Sequence, residues 1–214
     1  MPRLNEHNYV GLMAEPPSST YGSKGLRTTI IPLKQGKLYG SFFISSYWKF
    51  PEGVYGLQTG ISYAQSGDPN HLFMAPAPPY PKTEVISKDP PMVLGVPHTY
   101  SIELVTGTLW DGKIDGQTVK RYDMKVDQLD SPITVWGECI GHVSGLKPIV
   151  FNPALEYLVD GAWTPVASAK SRVALASPNF KWGIEGMIQN STLQRNHVRI
   201  ASSIGVTNNF TQLW

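Results

Sequence analysis

Three polar side chains sit in stretches otherwise built for a core: Gln58, Glu103 and Glu138. Gln58 lies in the segment 53–64, Gly-Val-Tyr-Gly-Leu-Gln-Thr-Gly-Ile-Ser-Tyr-Ala, which has the period of two that makes a strand. Tyr55, Leu57, Thr59, Ile61 and Tyr63 fall on one face, large and mostly apolar, which belongs against a core. Val54, Gly56, Gln58, Gly60, Ser62 and Ala64 fall on the other. Glycine in a strand marks a place where a ligand or another backbone comes close. An amide between Gly56 and Gly60 therefore reads as a polar group on the floor of an open groove, with an ordinary solvated face as the plain alternative. In Ile133–Ile140 the residues Thr134, Trp136, Glu138 and Ile140 share one face. Glu103 lies opposite Tyr100, Ile102 and Leu104. If the three strands share one curved sheet, all three side chains could line its concave side. A carboxylate beside an aromatic ring there is partly desolvated, which raises its pKa and suits general acid or base work. The alternative for both glutamates is a solvent-facing strand position.

Other chemistries find less support. His71, His98, His142 and His197 are far apart in sequence, no pair has helical ligand spacing, and there is no aspartate-rich calcium loop, so no metal and no cofactor is expected. Cys139 is the one cysteine, which excludes an internal disulfide and a cysteine-based zinc site. It alternates with Glu138 onto the core side of its strand, where a thiol behaves as a small hydrophobe. No Gly-x-Ser-x-Gly elbow and no phosphate-binding glycine loop occurs.

The elements that must position these residues are strands. The 214 residues suit one substantial core, read as a single domain over 1–214. Charged residues are 16%, below the usual quarter, and 20 Gly with 18 Pro supply many turns. Strand candidates are 8–13, 26–33, 37–48, 53–64, 98–105, 117–126, 133–140, 149–159, 163–169, 172–175, 181–188 and 198–206, and no window holds a helical period. The proline-rich stretch 65–97 reads as an extended loop. Asp111-Gly112, Asp115-Gly116 and Asp160-Gly161 read as turns. Many short strands between turns define an all-β, antiparallel β-sandwich or barrel. The net charge of +2, with no basic run, points away from nucleic acid, and no apolar run spans a membrane. The first residues hold no signal region, so the chain is expected to be cytosolic, a mature fragment or a piece of a precursor. A monomer is expected.

The order of features resembles the glutamic peptidases of the eqolisin type. Asn8-Tyr9-Val10-Gly11 is similar to the family's Asn-Trp-x-Gly start. Trp48 precedes Leu57-Gln58-Thr59-Gly60 as a tryptophan precedes the family's glutamine strand. Trp136-Gly137-Glu138 is similar to the strand that carries its glutamate. The resemblance runs from Asn8 to about Val206. It implies a concanavalin-like β-sandwich, or jelly roll, that cleaves a peptide or protein substrate. Gln58 and Glu138 would be catalytic, and Trp48, Gly56, Gly60, Glu103 and Trp136 would border the substrate. Glu138 would deprotonate a water and pass the proton to the leaving amine, while Gln58 donates an N–H to the oxyanion.

Two other functions fit the same sandwich. A lectin or carbohydrate-binding module would stack Trp48, Tyr63, Trp110 or Trp136 on sugar faces. A glycan-cleaving enzyme would use Glu103 with Glu138, at a carboxyl separation near 5.5 Å for retention or ~6.5–9.5 Å for inversion.

Overall fold

The computed structural model describes residues 7–14, 23–36, 38, 40–50, 53–64, 66–75, 83–87, 89–129, 133–140, 146–153, 155–166, 170–174, 183–187 and 197–201. The described residues form strands and turns, with no helix among them. In chain order the strands are β1 (His7–Ala14), β2 (Gly25–Ile31), β3 (Gly40–Phe50), β4 (Gly53–Tyr63), β5 (Pro69–Ala75), β6 (Thr83–Ser87), β7 (His98–Thr106) and β8 (Leu109–Ile114). They continue as β9 (Gln117–Asp123), β10 (Ile133–Ile140), β11 (Ile149–Phe151), β12 (Glu156–Val159), β13 (Ala162–Pro165), β14 (Lys170–Ala174), β15 (Gly183–Met187) and β16 (His197–Ala201).

They make two antiparallel sheets. The first runs β14-β1-β10-β3-β4-β5-β6, and the second runs β15-β16-β11-β2-β7-β8-β9, with β12 beside β2 and β13 beside β12. The period-two pattern explains which faces meet. Phe42 and Ile44 of β3, Leu57 and Ile61 of β4, and Ile133 and Val135 of β10 turn inward from the first sheet. Leu26, Ile30, Tyr100, Ile102, Trp110, Phe151 and Ile200 meet them from the second. Each such side chain, fully removed from water, contributes about 1.5–3 kcal/mol. Phe73 reaches across to stack on Tyr122 at 5.4 Å between ring centroids, and a Cβ on Gly112 would overlap the Phe73 ring.

Three expectations change. The stretch read as loop contains β5 and β6, which extend the first sheet beyond β4. Pro69 is the first residue of β5, where a missing N–H is tolerated. Asp111-Gly112 is not a turn but the middle of β8; Arg121 neutralises Asp111 with two hydrogen bonds of 2.6 and 2.9 Å, and Gly112 makes room for Phe73. The hairpin turn falls at Gly107, with φ +53°. The strand expected over 149–159 breaks at Asn152-Pro153 into β11 and β12. Asp115-Gly116 and Asp160-Gly161 are the turns expected, both residues of each pair at positive φ.

Candidate active site

Gln58 lies on the outward side of the first sheet, as its strand parity requires. Register fixes its neighbours: Ser45 on β3 and Met74 on β5, with Thr134 of β10 one strand beyond Ser45. The hydroxyls of Ser45 and Thr134 share a hydrogen bond of 2.5 Å. Although this face turns away from the second sheet, its centre is dry: Gln58 is 7% exposed, Ser45 0% and Thr134 2%. The next row along the strands is Leu72, Gly60, Phe43, Trp136 and Gly11. Phe43 and Leu72 are buried but stand apart from the main core, and they form an apolar step beside the Gln58 row. Trp136 is half-buried on the same face and lies over β1, where a Cβ on Gly11 would come within 2.4 Å of its ring. Gly11 is thus the residue that lets the indole lie flat against its neighbouring strand.

At Gly60 the close approach expected of a strand glycine is that of another backbone. A Cβ on Gly60 would sit 2.1 Å from the Phe42 carbonyl oxygen and 2.6 Å from the Phe43 α-carbon. The missing side chain accommodates the close approach of β3. Gly56 is buried opposite Tyr47 of β3. The side chain of Trp48 lies outside the described residues, as does that of Cys139.

Glu138 shares the sheet and the outward face, in the row of Ser41, Ser62 and Tyr9. It is half-buried. Between its strand and that of Gln58 runs β3, and the two side chains pair with Ser41 and Ser45 of β3 respectively. Two inter-strand steps and four residues along the strand separate their α-carbons by roughly 16 Å. Glutamate and glutamine side chains aimed at one another would shorten that gap, with the row of Phe43 and Trp136 between them. The β10 residue in the row of Gln58 is Thr134.

Glu103 does not join this face. It belongs to β7 in the second sheet and points outward there, bonded to Lys113 Nζ and to the Ser101 hydroxyl, each at 2.5 Å. The shared concave sheet expected for Gln58, Glu103 and Glu138 therefore does not form, because odd positions of β7 face away from the first sheet. Glu103 and Glu138 lie on opposite outer sides of the sandwich and cannot flank one glycosidic bond. The aromatic platform expected for sugars also loses members. Trp110 is fully buried and donates its indole N–H to the Val126 carbonyl at 2.7 Å. Tyr63 is buried against Phe42 edge to face, its hydroxyl bonded to the Leu33 carbonyl, and burial pushes its pKa up to about 12.

His71 and His98, distant in sequence, meet between the sheets with ring centroids 4.9 Å apart. Among the described residues no group of three or more histidine, cysteine, aspartate or glutamate side chains is arranged to hold a metal ion. Among the described residues no helix is long and apolar enough to cross a membrane. Thr134 was legible as a groove residue because it shares parity with Glu138. Ser45, inside an aromatic-rich strand, carried no sequence signal; only the register of β3 reveals it.

Two antiparallel sheets, of seven and nine strands, packed face to face define a concanavalin-like β-sandwich. No family model and no curated protein matches the sequence. Among solved structures, the fold is similar to Scytalido-glutamic peptidase bound to a peptide-based transition-state analogue, at a TM-score of 0.63 and 12% identity over 90% of this chain and 97% of that one. It is also similar to SCP-B, a member of the eqolisin family of peptidases in complex with the tripeptide Ala-Ile-His, at 0.59 and 11% identity over 90% and 96%. A β-glucanase of Bacillus licheniformis superposes at only 0.38, with 15% identity over 94% of this chain and 80% of that one.

Proposed function

We infer that the outward face of the first sheet binds an extended polypeptide, as a peptidase groove does, and that Gln58 and Glu138 are its reactive groups. The observation that carries this reading is the dry amide of Gln58 beside the Ser45–Thr134 hydroxyl pair, on a face that the second sheet does not cover. An uncharged donor held away from water interacts strongly with a developing oxyanion, and removing such a donor costs roughly 10²–10³ in rate. The amide does not ionise, so it keeps this role at any pH. Glu138 supplies the carboxylate that takes a proton from water and returns it to the leaving amine. The two solved peptidases of similar fold, one bound to a peptide-based transition-state analogue and one to a tripeptide, support a peptide as the substrate class.

The strand that separates Gln58 from Glu138 favours a second reading, in which the groove holds polypeptide without cutting it. Thr134, the residue in the Gln58 row, has no proton-accepting side chain of useful strength near neutral pH. The experiment is cleavage of an unfolded protein across a pH series, alongside a binding measurement with the same protein. Cleavage by the wild type that vanishes in Glu138→Gln supports the peptidase. Binding without cleavage supports the second reading. Binding to immobilised glycan alone overturns both. Cleavage that survives in Glu138→Gln places the base elsewhere.

A further inference from the structure

The segment 89–97, between β6 and β7, carries three of the most exposed large apolar side chains described, Val93, Leu94 and Val96. It is nevertheless tied down. The Gly95 N–H donates to the Pro32 carbonyl at 2.8 Å, and the partly buried Met92 packs on the core. A third tie is made to a side chain: the Val93 N–H donates to His98 Nε2 at 3.0 Å.

That last bond fixes the state of the imidazole. A nitrogen that accepts from a backbone N–H carries a lone pair and no proton. The ring proton is therefore on Nδ1, which donates to Asp115 Oδ2 at 2.6 Å. Asp115 is itself set by the Thr99 N–H, 2.7 Å from its Oδ1. His98 is only 4% exposed and bridges a carboxylate on one side and the loop backbone on the other.

We propose that this imidazole is a proton-controlled latch: a proton added at His98 Nε2 replaces the acceptor of the Val93 N–H with a second donor, and the loop lets go. The surroundings decide where the proton lands. Asp115 lies against Nδ1 and offsets a cation on His98. His71, edge-on from β5, is occupied at Nδ1 by the Tyr100 hydroxyl at 2.8 Å. Burial first, and the neighbouring His98 second, hold the His71 pKa at about 4, against Asp115 and the Pro90 backbone. Tyr100 of β7, and Tyr63 of β4 behind it, stay neutral, both pushed up by burial. Asp89 is the one further charged group among the described residues 89–97. Release withdraws Met92 from the core and adds it to the apolar tip of Val93, Leu94 and Val96. The latch is independent of whether the groove cuts peptides.

The test is amide hydrogen exchange read by NMR at pH 7.5 and 5.0, expressed as protection factors so that intrinsic rates cancel. Protection at Val93 and Gly95 should fall at least tenfold at pH 5.0, and in His71→Gln, which removes the acid loss of global stability, that of Ile61 in the core should hold. His98→Gln, whose amide oxygen reaches the Nε2 position and does not titrate, should show no such fall. His71→Gln should keep it. If His98→Gln does not fold, Asp115→Asn serves: losing the offsetting charge should move release to lower pH. Unchanged protection in the wild type, a fall shared by Ile61 in His71→Gln, a fall at Val93 and Gly95 that persists in His98→Gln, or a release in Asp115→Asn at the wild-type pH overturns the latch.

Discussion

The two outward faces of the sandwich are built on opposite plans. On the second sheet, Glu156 pairs with Arg27, Glu103 with Lys113 and Asp111 with Arg121. Arg27 also lies over the Trp163 ring at 4.5 Å. Glu103 and Asp111 stand opposite one another in register, and each of these carboxylates has its own cation. On the first sheet, the central residues Gln58, Ser45 and Thr134 are uncharged and nearly dry, with Glu138 on the same face and Glu84 of β6 at the end of their row. A face laced with ion pairs has answered its own charges and suits water. A face of uncharged donors beside an apolar step of Phe43 and Leu72 can hydrogen-bond a backbone that arrives from outside. The contrast is what favours the first face for the proposed groove, since both sheets alternate polar and apolar residues equally well.

The comparison can be broken most sharply by substitutions on the first face. Glu138→Gln should remove cleavage of an unfolded protein, because an amide cannot take the water's proton. Gln58→Ala should lower kcat by roughly 10²–10³ with little change in folding stability. Gln58→Glu should be poor near neutral pH, where a second carboxylate faces the groove, and should recover in part in acid. Stopped assays across pH, with circular dichroism on each variant, decide these; full activity in Gln58→Ala would deny that face its role. A Cβ at Gly60 tests the geometry beneath the groove: Gly60→Val should cost more than about 4 kcal/mol, read from urea denaturation, because it strikes the β3 backbone.

Acid probes the joint between the sheets and neither face. His71 has a folded pKa of about 4 against 6.5 for the free side chain. Between these values the unfolded chain binds more protons than the folded one, so stability falls as pH drops from about 6.5 and levels off below about 4. The loss should reach roughly 3 kcal/mol at most, and His71→Gln should flatten it in denaturation series at pH 7, 5.5 and 4. The smallest effect belongs to the second face. Glu103→Gln breaks a part-exposed ion pair and should cost less than about 1 kcal/mol, with cleavage unchanged. A large loss of activity there would erase the distinction between the faces.

Parity made the faces of β4 and β10 legible before any coordinates: Leu57 and Ile61 inward, Gln58 and Glu138 outward. Alternation is a property of the single strand, and it survives whatever the strand pairs with. Which strands pair is a property of the whole chain. Glu103 has the same local pattern as Glu138, and only the sheet order sends it to the other side of the molecule. The offset between Gln58 and Glu138 is likewise a matter of register, set by β3 lying between them. Prolines misled because their position within a strand matters more than their number: Pro69 opens β5 and costs it no ladder bond. Asp111-Gly112 misled because a turn dipeptide is also a small residue next to a charge, and Phe73 and Arg121 each needed one of them.

The pairing of β1 has a consequence at the ribosome. The segment β3–β6 is a run of hairpin neighbours that can close as it emerges, but Tyr9 must wait for Glu138, and the other edge of β1 waits longer still, for Ser171 and Val173. At roughly 5–20 residues per second, the first strand stays without a partner for on the order of ten seconds of translation. During that time the β3 edge that β10 will cover is open as well, next to Phe42 and Phe43. A nascent chain stalled before Ile133 would present both as templates for other strands, and the vulnerable moment of this protein falls during its synthesis, before β10 exists.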